Sequence, residues 1–311
     1  MQALAIGLLP ALAGCGIEPA EPLRIGAQVF PGYEFVFLAR ALGLLPQEQV
    51  RLIDTPTASA SIRALATGAL DGACLTLDEV LTARERGIPL TVVAVVDVSV
   101  GADAVLALPG IANPAALRGR RLAVEQTAVG AVMLDAVLKR AGLKVTDVTV
   151  RQVAMDNQEA EYLAGRVDAV ITYEPVKSRL LRQGASAIYS SAEIAGRIVD
   201  VIAIRQELLK PRAEAVRALV QAHFRALDRY VAEPRLHAQS LGQRMHLNSE
   251  EVSTAYLGLD LPDLARNKTW FDNDAAYLSR QAAELEAVMR SAGLLESSRF
   301  IGTPLFDGRY L

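Results

Sequence analysis

A self-similarity at a spacing of almost one hundred residues constrains this chain more than any single motif. Leu23-Arg24-Ile25-Gly26-Ala27-Gln28 is echoed by Leu122-Ala123-Val124-Glu125-Gln126, which sets Gln28 against Gln126, 98 residues on. Leu65-Ala66-Thr67-Gly68-Ala69-Leu70-Asp71-Gly72-Ala73 is echoed by Leu163-Ala164-Gly165-Arg166-Val167-Asp168-Ala169, with Gly68 and Gly165 97 residues apart. In each copy a helix ends at a glycine able to take the left-handed conformation cheaply, and an Asp then turns the chain into a strand. Two similar α/β lobes follow, and 311 residues suffice for two cores.

The segments between the echoes fit helices and buried strands in alternation. Ser59 and Ser61 precede the apolar spacing Ile62, Leu65 and Ala66, and Gly130 opens a helix closed by Gly142. Thr76 with Glu79, Asp156 with Glu159 and Asn248 with Glu251 have capping-box spacing. Leu90–Val96, Ala104–Leu108, Thr149–Val153, Ala169–Thr172 and Val199–Ile204 read as buried strands by length and β-branching. After Glu207 the rhythm becomes helical. Pro211 suits a first turn, Val216, Leu219, Val220, Phe224, Leu227 and Val231 form a 3.6-residue stripe, and a last helix carries Tyr277, Leu278, Leu285, Val288 and Met289. Trp270-Phe271 is expected in a polar loop between helices.

Thirty-two basic residues are scattered among 35 acidic ones, for a net charge of -3, so nothing resembles a nucleic-acid footprint. The two cysteines differ in meaning. Cys15 follows Leu12-Ala13-Gly14 after an apolar stretch too short to span a bilayer, and that ending resembles the bacterial lipobox. Residues 1–15 are then expected to be a signal peptide and 16–22 a linker, with Cys15 as lipid attachment site and membrane anchor. No Lys or Arg precedes Arg24 and Pro10 interrupts the run, so an apolar tail with a chance cysteine is the alternative. Cys74, in an apolar segment, reads as core.

Taken in order, Arg24-Ile25-Gly26, Pro31-Gly32-Tyr33-Glu34, Leu38-Ala39-Arg40-Ala41-Leu42-Gly43-Leu44, Ala64-Leu65-Ala66-Thr67-Gly68 with Asp71, Pro114-Ala115-Ala116-Leu117-Arg118-Gly119-Arg120-Arg121, and Tyr173-Glu174-Pro175 form a series. The series resembles the nitrate, sulfonate and taurine (NitT/TauT) binding proteins of ABC importers, over residues 23 to about 230. The resemblance implies a two-lobed type II periplasmic-binding-protein (venus flytrap) α/β fold with C-terminal helices. Crossings are expected near Ala107–Gly110 and Val199–Ala203, giving lobe 1 as 23–106 plus 204–311 and lobe 2 as 107–203. It also implies a monomer that holds a small molecule in the interlobe cleft and presents it to a permease, with no cofactor, metal or catalytic residue.

In such a fold the ligand meets strand C-termini and helix N-termini. Lobe 1 accordingly offers Gln28 and Tyr33 after the first strand, Ser59 and Ser61 at a helix start, and Thr76 and Asp78 at another. Asp97, Ser99 and Asp103 close the next strand and lead to the crossing. Lobe 2 offers Glu125, Thr127, Asn157, Tyr173 and Glu174. Each has a structural alternative: Tyr33 as a core cap, the serines as plain N-caps, Asp78 as a helix-dipole partner, Asp97 and Asp103 as turn formers, Glu174 as a stabiliser of its own turn. Several carboxylates at strand ends make a poor anion trap, since burying like charges together costs several kcal/mol. They point to a cationic or N–H-rich ligand such as an amine, a guanidino or urea compound, or an aminopyrimidine, with a sulfonate, taurine or nitrate-type anion as the other choice. A biosynthetic enzyme of the two-lobed pyrimidine or menaquinone precursor type, or a ligand-sensing module, is the competing reading. His223, His237 and His246 all fall in the helical C-terminal region, and no metal-binding, phosphate-loop or nucleophile-elbow motif is present.

Overall fold

The computed structural model describes residues 21–291, 293–296 and 304–311; Cys15, the leader and most of the 16–22 linker lie outside them. The strands in chain order are β1 (Leu23–Ala27), β2 (Val50–Asp54), β3 (Gly72–Thr76), β4 (Leu90–Ser99), β5 (Ala104–Ala107), β6 (Arg121–Val124), β7 (Thr149–Gln152), β8 (Ala169–Thr172), β9 (Ser186–Ser190), β10 (Val199–Arg205) and β11 (Leu259–Asp260). They form two sheets, ordered β2-β1-β3-β10-β4-β11 and β7-β6-β8-β5-β9. In each sheet three parallel strands adjoin one antiparallel strand that has come from the other lobe: β10 beside β3, and β5 beside β8.

The helices are α1 (Glu34–Ala41), α2 (Ala58–Ala66), α3 (Leu77–Glu85), α4 (Ala128–Ala141), α5 (Met155–Leu163), α6 (Val176–Arg182), α7 (Gln206–Leu209), α8 (Ala213–Ala232), α9 (Pro234–Met245), α10 (Ser249–Tyr256) and α11 (Leu264–Ser291). The ten residues of β4 are all buried, and β-branched Val92, Val93, Val95 and Val96 fill both faces of the central sheet. The stripe on α8 is buried from Val216 to Leu227, while Val231 at its end stands exposed.

The repeat is real and its spacing is 97, not 98. Arg24 holds Asp71 through its backbone N–H (2.8 Å), Nε (3.0 Å) and Nη2 (2.7 Å), and Arg121 holds Asp168 through the same three donors at the same distances. Strand registers agree: Ile25 pairs Gly72 and Leu122 pairs Ala169. Gly68 (φ 73°) and Gly165 (φ 64°) both end helices in the left-handed region. Gln28 is therefore the counterpart of Glu125 rather than of Gln126, and Thr76 of Tyr173.

Other expectations need correcting. The chain crosses between sheets at Val100–Asp103 and at Ser191–Ile198, because β5 already belongs to the second sheet and β10 to the first. Trp270 and Phe271 lie within α11, where Arg266 stacks over the Trp270 ring at 4.4 Å and Phe271 is buried. The strand β7 is a largely exposed edge, α2 is capped by Thr57 rather than a serine, and α5 starts behind Ala154, so Asp156 caps nothing. Between α8 and α10 stands α9, opened by Pro234 and unanticipated in the pattern.

Candidate functional site

Four strands end at one place between the lobes. Gln28 after β1 and Thr76 of β3 face their repeat counterparts Glu125 after β6 and Tyr173 after β8, and all four line one pocket. The remaining lining residues are Phe30, Tyr33, Glu79, Asp103, Thr127, Val129, Ile198 and Asp200. The pocket's floor is the pair of crossing segments, pinned where Ser99 Oγ and Ser191 Oγ meet at 2.6 Å and the Gly101 N–H donates to Ser191 Oγ at 2.8 Å. The lobes also touch elsewhere: Arg182 of α6 pairs with Glu251 of α10, and Val132 of α4 packs into the core cluster that holds α3 and α11 residues.

Three rings wall the pocket. Phe30 lies edge-on to Tyr33 (5.1 Å between centroids) and, across the lobes, to Tyr173 (5.7 Å). The Tyr33 hydroxyl donates to the Asp200 carboxylate, and burial holds that phenol well above its ordinary range. Thr127 caps α4 by accepting from the Gly130 N–H at 3.2 Å, and Glu79 completes the capping box of α3 by accepting from the Thr76 N–H at 2.9 Å.

Four of the twelve lining residues are acids, Glu79, Asp103, Glu125 and Asp200, and none is Lys, Arg or His. Burial raises all four. Asp103 is pushed up to about 6 although Lys177 pulls it back, Glu125 rises, and Glu79 and Asp200 lie well above the usual carboxylate range, Asp200 also because Asp97 is its neighbour. The Gln28 side-chain oxygen is buried with no partner among the described residues. Such a lining offers acceptors, negative charge and aromatic faces, which together suit N–H donors and positive charge. In this conformation the cavity is ≈ 30 Å³, an order of magnitude below the roughly 300–1,000 Å³ of a small-molecule pocket, so holding such a ligand requires the lobes to move apart.

Of the residues expected to face a ligand, Gln28, Tyr33, Thr76, Asp103, Glu125, Thr127 and Tyr173 are together in this pocket. The others are elsewhere. Ser61 is buried against Thr55 (2.8 Å between hydroxyls) and Ser59 is half-buried on the same helix. Asn157 is exposed and bonds Asp156. Ser99 serves the crossing, and Glu174 accepts from the Ser178 N–H (3.1 Å) with Lys177 3.6 Å away. Asp78 and Asp97 are buried just behind the lining, Asp78 raised to about 6 by burial. Sequence reasoning missed Phe30, Glu79, Val129, Ile198 and Asp200. For Asp200 a signal existed: it is an acid near the start of the otherwise apolar run Val199–Ile204.

No histidine lines the pocket, and His223 is buried against Phe35 and Phe224, with burial lowering it to about 3. Among the described residues no cluster of His, Cys, Asp and Glu could hold a metal ion, and no helix is long and apolar enough to cross a membrane. Cys74 is buried in the first lobe.

A family model described as NMT1/THI5 like matches residues 33–236. The taurine-binding periplasmic protein of Escherichia coli (strain K12) is 22% identical over 244 residues, covering 77% of this chain and 73% of that protein. A putative aliphatic sulfonates-binding protein of the same organism is 28% identical over 170 residues, covering 53% of each. The structure of the alkanesulfonate-binding protein SsuA from Xanthomonas axonopodis pv. citri bound to MOPS is similar at a TM-score of 0.75 and 20% identity, over 93% of this chain and 99% of that one.

Proposed function

Because the chain belongs to the NMT1/THI5-like family, we propose that it is an extracytoplasmic solute-binding protein, not an enzyme, which closes its two lobes on a small molecule and delivers it to the permease of an ABC importer. Periplasmic binding proteins among its relatives support that role. The ligand class is argued from the pocket: four acids, three of them buried and Glu125 half-buried, three aromatic rings and no cationic side chain line the space between the lobes. An amine, a guanidino or urea compound or an aminopyrimidine matches those acceptors, whereas a sulfonate would sit among like charges. Taurine- and sulfonate-binding proteins among the relatives make the sulfonate reading the one to test against it.

A thermal-shift screen of the purified protein against sulfonates, taurine, nitrate, amines, guanidino and urea compounds and aminopyrimidines separates the two. A ligand at 100 times its Kd is expected to stabilise the protein by about 2.7 kcal/mol. Response to sulfonates alone overturns the cationic reading, and turnover of a hit, seen by mass spectrometry, overturns the non-enzymatic one.

The same reading makes the protein a monomer tethered through a lipid on Cys15. Metabolic labelling with a fatty-acid analogue is expected to mark the wild type and not Cys15→Ser. An unlabelled wild type removes the anchor and leaves the binding role standing.

A further inference from the structure

Asp97 does not line the cleft, yet the cleft depends on it. It is the direct cross-strand partner of Asp200, β4 against β10, and it is fully buried. No N–H or O–H among the described residues reaches either of its carboxylate oxygens; the polar group beside it is the Asp200 carboxyl. The titratable groups facing the pair are Tyr33 from the turn before α1, Cys74 of β3, Glu79 of α3, Asp103 at the crossing, Asp260 of β11, Tyr256 of α10 and Tyr173 of the other lobe. The cations nearby answer to other acids: Lys177 lies toward Asp103 and Glu174, and Arg244, beyond Cys74, is paired with Glu34 and Asp54.

Two ionised carboxylates in that setting would repel one another with nothing to offset it. A single shared proton removes both difficulties. It takes away one charge, and it gives Asp97 a hydrogen to donate to Asp200. Asp200 then accepts from Asp97 and from the Tyr33 hydroxyl together, and remains an anion. With its hydrogen committed to Asp200, Tyr33 offers the cleft its oxygen as an acceptor.

We infer that Asp97 is a positioning residue for ligand capture: by holding the one proton it shares with Asp200, it keeps Asp200 and Tyr33 presented to the cleft as hydrogen-bond acceptors with one negative charge between them. The inference rests on the cleft being the ligand site. Its proton, however, is a property of the empty protein and can be observed without any ligand.

The experiment is a carboxyl-carbon NMR titration of the ligand-free protein from pH 4 to 8, on wild type, Asp97→Asn and Asp97→Ala, followed by binding isotherms with methylguanidinium. One carboxyl of the wild-type pair is expected to remain protonated at pH 7 while its partner is ionised. In Asp97→Asn the amide donates in place of the acid, and only the ionisation of Asp200 remains, without the second step of the pair. Methylguanidinium affinity at pH 7.5 is expected to survive Asp97→Asn within about threefold and to fall roughly tenfold or more in Asp97→Ala. The change of affinity on alkalinisation that accompanies loss of the shared proton should also be missing in Asp97→Asn, which a merely structural role for Asp97 would not produce. Ionisation of both carboxyls within the ordinary range, or equal loss of binding in the Asn and Ala variants, overturns the inference. If methylguanidinium binds no form of the protein, the ligand class proposed above fails, while the titration of the empty protein still decides whether the proton is shared.

Discussion

Gly32→Ala is expected to destabilise the protein by about 2–4 kcal/mol and to abolish ligand-induced stabilisation. A Cβ at Gly32 would overlap Asp97 Oδ2 outright and sit 2.8 Å from its Cγ. Neither side can yield easily. Asp97 is on β4, which is hydrogen-bonded between β10 and β11, and its side chain is too short to swing clear without leaving Asp200. Gly32 is the middle residue of the turn Pro31–Tyr33, so displacing it moves Phe30 and Tyr33, two of the three rings that wall the cleft. Thermal or urea denaturation of the single and double variants checks the cause. If the clash with the carboxyl is what matters, Asp97→Ala makes room. The double variant Gly32→Ala/Asp97→Ala should then be less damaged than the two single effects predict, by about 1.5 kcal/mol or more. Additive losses would place the cost of Gly32→Ala elsewhere in the turn.

That clash shows why the lobes were legible in the sequence and much of the pocket was not. Periodic and repeated features depend on near neighbours: the helix endings at Gly68 and Gly165, the strand starts at Asp71 and Asp168, and the capping boxes of α3 and α10 all appear where the pattern puts them. The general rule that ligands meet strand ends then brings Gln28, Thr76, Glu125 and Tyr173 to one place. What the pattern cannot carry is which face a long-range pairing selects. Asp200 enters the pocket because β10 returns from the other lobe to pair antiparallel with both β3 and β4, more than one hundred residues earlier in the chain. Helix N-termini fail for a related reason. Ser59, Ser61 and Asn157 stand near helix starts, as expected, but α2 and α5 do not present those side chains to the cleft, whereas Thr127 at the start of α4 is there. Trp270 and Phe271 misled because Arg266, Lys268 and Asp272 around them are polar, which describes the exposed side of a helix as well as a loop.

The buried acids give the ligand-free protein an unusual pH dependence, with greatest stability near pH 4 and a loss of at least about 3 kcal/mol, or roughly 6 °C in Tm, by pH 8. A carboxyl whose folded pKa is raised binds its proton more tightly folded than unfolded, so stability falls as pH climbs from the unfolded value through the folded one. Asp78 and Asp103 are raised from 3.8 to about 6, Glu34 from 4.5 to about 7, and Glu79, Asp97 and Asp200 further still, with burial the first cause in every case. Each unit is worth about 1.4 kcal/mol for a buried group acting alone. Two features oppose this on the acid side. Burial lowers His223 from 6.5 to about 3, so its contribution is lost as pH falls below the unfolded value, and Asp168, lowered by its bond to Arg121, loses its contribution below about pH 4. One histidine acts against six raised acids, so the maximum falls near pH 4, where the acids of the unfolded chain take up their protons. A cationic ligand reverses the slope on the alkaline side, because it favours the ionised acids and stabilises more strongly as they lose their protons. Scanning Tm from pH 4 to 8 with and without ligand tests both limbs at once. A ligand-free Tm that rises steadily from pH 5.5 to 8 would mean that these carboxyls are not held in their protonated forms, and burial would not be what governs their ionisation.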